Sequence, residues 1–173
     1  MAAHHHLPNV TASQSGPATP ICRQIIPIVD IILAKGQMGI ALLKLKEQRL
    51  IGSAFVLDFD AHTGDGNIDV LSEWKEARIL NPMADSNKDY LERIEDYVSN
   101  IQHVDVVAAS AGFDSYEKDL GKKLTTFDFY LIGRLLRKLA QRMGHQRRFA
   151  ILEGGYYLPD LGKNVLAFCQ GFE

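Results

Sequence analysis

The stretch Ala54 to Gly66, reading AFVLDFDAHTGDG, constrains this chain more than any other. Four apolar residues, Ala54 to Leu57, run directly into Asp58, Asp60 and His62. Strand side chains alternate with a period of two, so these three polar groups are predicted to share one face at the end of a buried strand. Two carboxylates and an imidazole there are costly unless something positive sits among them, and a divalent metal is the usual answer. Gly64 and Gly66 are predicted to let the backbone turn sharply beside the cluster.

Two later segments have the same form. Val104 to Ser110 is a short apolar run closing in Ala111-Gly112-Phe113-Asp114, and Arg148 to Leu152 closes in Glu153-Gly154-Gly155-Tyr156-Tyr157. Ligands of open α/β sheets bind beyond the carboxyl ends of the strands, so Asp60, His62, Asp114 and Tyr156 are predicted to converge on one crevice. Taken singly, Asp114 reads as a turn residue and Tyr156 as a core tyrosine at a tight turn.

Between these strand ends the pattern is helical. Gly39 to Gln48 fits a helix leading into the first strand, followed after it by a loop through Trp74 and a second short apolar piece, Ala77 to Leu80, stopped by Asn81-Pro82. Ser86 or Asn87 is placed to cap a helix carrying Tyr90, Leu91, Ile94, Tyr97 and Val98 at helical spacing. Thr125 or Thr126 caps a longer one from Phe127 to about Met143, and a last helix runs from about Leu158 to Phe168. This alternation predicts an α/β fold, a parallel sheet with helices on both faces.

Composition excludes several classes. A formal net charge of −2 gives no basic surface for nucleic acid. The basic group Arg134, Arg137, Lys138, Arg142, Arg147 and Arg148 reads as a solvated face near a helix C-terminus. Cys22 and Cys169 show no CxxC spacing, so a reducing cytoplasm is the expected compartment. Residues 1–20, with His4 to His6 and scattered Pro, Ser and Gly, are expected to be a disordered tail without a secretory signal. Ile25 to Ala34 is apolar but far shorter than the roughly 20 residues that span a bilayer, so it is expected to be a buried helix or strand segment and no membrane partner is expected.

The strings LDFDAHTGDGN, ASAGFDS and ILEGGYY, in that order, resemble the histone deacetylase and acetylpolyamine amidohydrolase family, especially its archaeal and bacterial members. The resemblance runs from roughly Ala41 to the end. It implies the three-layer parallel sheet of the arginase-deacetylase fold, here its C-terminal part, and zinc-dependent hydrolysis of an acetyl amide. By this resemblance Asp60, His62 and Asp114 match the zinc ligands and Tyr156 the transition-state tyrosine. Asp58 and Asp65 match the carboxylates that orient paired catalytic histidines, and Asp58 also matches a monovalent-cation site. With two carboxylates and one histidine, iron(II) or cobalt(II) also suits the ligand set. The implied partners are acetylated small molecules, such as acetylpolyamines, or acetyl-lysine proteins.

The chain departs from the family upstream. A PGHH segment, which carries the paired histidines, and a GFCxFNN-like segment are both absent, and only His4 to His6 precede the metal motif. An N-terminally truncated or frame-altered product is therefore expected, with residues 21–173 forming a partial deacetylase-like α/β domain. An exposed sheet edge then favours self-association. Two alternatives follow. One is a non-catalytic metal-binding remnant or pseudoenzyme. The other is an arginase-like ureohydrolase, because Asp60-Ala61-His62 also resembles that family's DAH string, although Gly64 stands where a further metal carboxylate is needed.

Overall fold

A computed structural model describes residues 36–173 of the chain. The expected tail 1–20, the apolar segment Ile25 to Ala34 and Cys22 lie outside the described residues. The elements run α1 (Gln37–Glu47), β1 (Ala54–Asp58), α2 (Asp65–Leu71), β2 (Ala77–Leu80), α3 (Asn87–Ser99) and β3 (Val106–Ala111). A 3-10 turn (Phe113–Ser115), α4 (Thr126–Arg142), β4 (Arg148–Leu152) and α5 (Leu158–Phe172) complete them. All strand pairings are parallel, in the order β2-β1-β3-β4, with Leu57 opposite Ala109 and Ala109 opposite Ala150.

Alternation along the strands divides the core in two. Phe55, Leu57, Val107 and Ala109 face α3, α4 and α5, whereas Ala54, Val56, Val106 and Ala108 face α1 and α2 with Trp74. Helices thus cover both faces of the sheet, as the alternation of elements predicts. One expectation fails: the loop through Trp74 contains α2. Seven residues are too few to display helical spacing, and its two buried positions are Asn67 and Leu71, one of them polar.

Capping fixes the longer helices. Ser86 Oγ accepts from Asp89 N at 3.1 Å, and Thr125 forms a capping box with Asp128, whose carboxylate takes Thr125 N at 2.7 Å. Asp128 also accepts from Asn87 Nδ2 at 3.1 Å, tying the starts of α3 and α4 together. Helices α4 and α5 cross with their backbones nearly touching. A Cβ at Gly133 would lie 2.4 Å from Phe168 O, and one at Gly171 would lie 2.1 Å from Tyr130 O.

The late basic group is not simply a solvated face. Arg148 is buried; its Nε donates to Phe172 O at 2.6 Å and its guanidinium also reaches Glu173 O and Gln146 O. Arg142 donates to Val98 O and Ile101 O, closing the C-terminal end of α3. Burial of a guanidinium is tolerated here because several carbonyls receive its hydrogens.

Candidate metal centre

The carboxyl ends of β1, β3 and β4 are seated by an aromatic cluster. Phe59, directly before Asp60, and Phe113, directly before Asp114, pack edge to face at 5.7 Å. Phe129 of α4 lies 5.0 Å from Phe113, and Phe168 of α5 lies 5.3 Å from Phe59. Such pairs contribute about 0.5–1.5 kcal/mol each beyond their buried area. The two carboxylates therefore project from anchored turns. Backbone bonds continue past the strands, from Phe59 N to Ser110 O at 3.1 Å and from Phe113 N to Gly154 O at 2.7 Å.

Strand β1 ends at Asp58, so Asp60 and His62 lie in the turn beyond it and strand alternation is not what gathers the three groups. Side-chain hydrogen bonds bend this turn. Asp58 Oδ1 accepts from Asp60 N at 3.2 Å, Asp60 Oδ1 accepts from His62 N at 2.9 Å, and Asp114 Oδ1 accepts from Ala61 N at 3.0 Å. Gly64 has a φ of −76°, an ordinary value, so positive backbone angles do not explain it. A Cβ there would sit 2.2 Å from Asp58 Oδ2, and the glycine serves that close approach.

The result gathers Asp60, His62 and Asp114, with one ligand atom from each lying within 4.8 Å of the others. His62 Nδ1 is 2.9 Å from Asp60 Oδ1 and 3.1 Å from Asp114 Oδ2. Asp114 is fully buried, yet its Oδ2 makes no hydrogen bond, because the nearby His62 Nδ1 is already engaged with Asp60. An unpaired buried carboxylate oxygen is expensive, and a cation at this point removes that cost. The glycines leave room for one: a Cβ at Gly154 would lie 3.0 Å from Asp60 Oδ2 and 3.1 Å from Asp114 Oδ2. Burial pushes the Asp114 carboxyl up, and the hydrogen bond with Asp60 raises the His62 imidazole. Two oxygens and a nitrogen with a free side fit a divalent ion that keeps an open position.

The remaining predicted residues are placed differently. Asp58 is buried beneath the turn, where burial raises its carboxyl, and its Oδ2 accepts from Asn67 Nδ2 at 3.2 Å. Asp65 is exposed in the first turn of α2 and lines, with Asp58, Asp60 and Glu153, a cavity of about 200 Å³. Tyr156 is 64% exposed, so it is no core tyrosine. Partial desolvation and the Asp114 and Asp60 charges push its phenol up. His103 and His145 stand before β3 and β4, at the other end of the sheet.

Sequence reasoning missed four groups around the centre. Ser110 Oγ donates to Glu153 Oε1 at 3.2 Å, while Asn67 Oδ1 accepts from Gly39 N at 3.0 Å and so ties α1 to the site. Asn81 Nδ2 donates to Asp58 O at 3.0 Å. Glu153, first past β4, and Ser110, last but one in an apolar strand, carried a positional signal. Asn67 and Asn81 carried none.

Comparison with known proteins agrees with this architecture. The histone deacetylase domain matches residues 78–172, more than half of the chain, a range that includes Asp114 and Tyr156 and begins beyond His62. Histone deacetylase 10, chloroplastic, of Oryza sativa subsp. japonica is 24% identical over 94% of this chain and 47% of its own length. The crystal structure of an acetylpolyamine aminohydrolase from Burkholderia pseudomallei superposes with a TM-score of 0.66 at 23% identity. That match covers 78% of this chain and 48% of the other. The chain thus spans about half the length of these relatives, its sheet has the arginase-deacetylase fold, and it belongs to the histone deacetylase family.

Proposed function

We propose that this chain carries the metal half of a deacetylase-type hydrolase site, acting on the acetyl amide of acetyl-lysine or an acetylpolyamine. The observation that carries this reading is the buried, unpaired Oδ2 of Asp114 facing Asp60 and His62. Asp60, His62 and Asp114 would hold zinc, with iron(II) or cobalt(II) as other suitable ions. Such an ion supplies an acidified water and polarises an amide carbonyl. His62 would bind through Nδ1, the nitrogen turned toward both carboxylates. Tyr156, an exposed side chain whose phenol feels the Asp114 and Asp60 charges, would donate its hydroxyl hydrogen to the carbonyl oxygen as negative charge develops there. Asp58 braces the turn through the Asp60 amide and lies where a monovalent cation would offset its charge.

A second reading, a metal-binding protein without turnover, is favoured by one observation. Asp58 pairs with Asn67 rather than an imidazole, and among the described residues no histidine besides His62 lines the cavity. The ureohydrolase alternative is disfavoured, because the Asp58 carboxylate occupies the space a side chain at position 64 would need.

Metal analysis and an acetyl-lysine peptide assay on one preparation separate the two main readings. Stoichiometric zinc with turnover that Tyr156→Phe lowers by about 10² or more supports the hydrolase. Stoichiometric zinc without turnover supports the remnant, and absence of zinc binding overturns both. Strand β4 is a sheet edge among the described residues, with Phe149 and Ile151 half-exposed, and we expect it to pair with another copy. A monomer in sedimentation would refute that association.

A further inference from the structure

Tyr156 is held by its backbone rather than by packing of its ring. Its side chain is largely exposed, it follows Gly155 at φ 148°, and α5 begins two residues later. Whatever fixes the peptide groups of 155–157 therefore fixes the direction in which the side chain leaves the backbone. Two anchors do so. On one side Phe113 N donates to Gly154 O at 2.7 Å. On the other, Asp119 Oδ2 accepts from both Tyr156 N and Tyr157 N, each at 2.7 Å.

Asp119 is itself locked to the loop that carries Asp114. Its Oδ1 accepts from Leu120 N at 2.7 Å, its own amide donates to Tyr116 O at 2.9 Å, and the next residue but one, Gly121, donates to Asp114 O at 2.7 Å. Gly121 packs so tightly there that a Cβ would meet Ser115 Cα at 2.6 Å. One carboxylate thus joins the loop of a candidate ligand to the turn of the candidate hydrogen-bond donor. Short bonds from amides to an ionised carboxylate are about twice as strong as neutral ones, and two on a single oxygen fix direction as well as distance.

We propose that Asp119 is the positioning residue of this site, aiming Tyr156 by clamping two consecutive amides and holding that aim in register with Asp114. The proposal rests on the role given to Tyr156 above. The test uses the full chain loaded with zinc, as wild type and as Asp119→Ala, Asp119→Asn, Tyr156→Phe and Asp119→Ala/Tyr156→Phe. Amide exchange at Tyr156 and Tyr157 should accelerate at least about tenfold in Asp119→Ala and less in Asp119→Asn, which keeps one accepting oxygen. Exchange at Phe113 and zinc content should not move. With acetate as probe, Asp119→Ala should weaken binding by the same factor as Tyr156→Phe, and the double variant should lose nothing further.

Unaltered exchange at Tyr156 and Tyr157 in Asp119→Ala overturns the positioning role alone. Loss of zinc in that variant also overturns it, by showing that the carboxylate supports the metal loop instead. Acetate affinity unmoved by Tyr156→Phe overturns the role of Tyr156 itself, whatever exchange shows.

Discussion

The two ends of the sheet carry the same residue types and treat them in opposite ways. At the amino ends of β1 and β3, Asp105 accepts from Gly52 N at 2.7 Å, Ser53 N at 2.9 Å and Ser53 Oγ at 3.2 Å, with His103 Nε2 at 3.2 Å on its other oxygen. Those bonds, the Gly52 amide foremost, hold its carboxyl below the usual range. At the carboxyl ends, Asp114 and His62 also face each other, but burial raises Asp114, and its Oδ2, though 3.1 Å from the His62 Nδ1 that Asp60 already engages, makes no hydrogen bond. An aspartate-histidine pair is therefore not a signal by itself. A pair whose acceptors are all filled reads as part of the fold, and one left short of donors as a candidate ligand site.

That contrast can be broken experimentally. The largest effect should come from Asp114→Ala, which removes the unsatisfied oxygen and should weaken zinc binding at least about 100-fold in equilibrium dialysis. Asp105→Ala should leave zinc stoichiometry intact and lower unfolding free energy by about 2 kcal/mol in urea titrations, because two backbone amides lose their acceptor. If Asp105→Ala lost zinc and Asp114→Ala lost only stability, the assignment of the two ends would be reversed. Gly154→Ala should act between them on the metal alone, weakening zinc about tenfold while the urea midpoint stays put, since its methyl enters the gap between Asp60 and Asp114.

The smallest effect concerns pH. Asp105 has a folded-state value below its ordinary 3.8, so its contribution is fully present above that value and is lost as pH falls through the lower folded one. The stability gap between wild type and Asp105→Asn, measured without metal, should therefore hold from neutral pH to about 4 and close below it. A gap that widened on acidification would contradict the sign of the shift.

Much of this was legible in the sequence because it depends on periodicity. Apolar runs ending in polar residues located β1, β3 and β4, while β2 showed only as a short apolar piece before Asn81-Pro82, and Ser86 and Thr125 marked helix starts through their side-chain oxygens. The approach of Asp60 and His62 to Asp114 was expected for the wrong reason: the turn is bent by carboxylates accepting backbone amides, an arrangement with no repeating pattern. The same holds for Asn67 and Asp119, which matter through one or two backbone groups distant in sequence. Helix α2 escaped notice because a seven-residue helix with a buried asparagine resembles a loop.

The glycine crossing of α4 and α5 makes the last helix a lever. Its fulcrum is the contact of Gly133 with Phe168 and of Gly171 with Tyr130, and its other end leaves directly from the Tyr156 turn. From Gly171 to Leu158 is thirteen residue steps of helix, about 20 Å at 1.5 Å each. A methyl at Gly171 would meet Tyr130 O at 2.1 Å, so the crossing would have to open in the same helix that starts beside the tyrosine. Substitution at Gly171, a position that touches no polar group of the centre, is therefore expected to be felt at the Tyr156 turn.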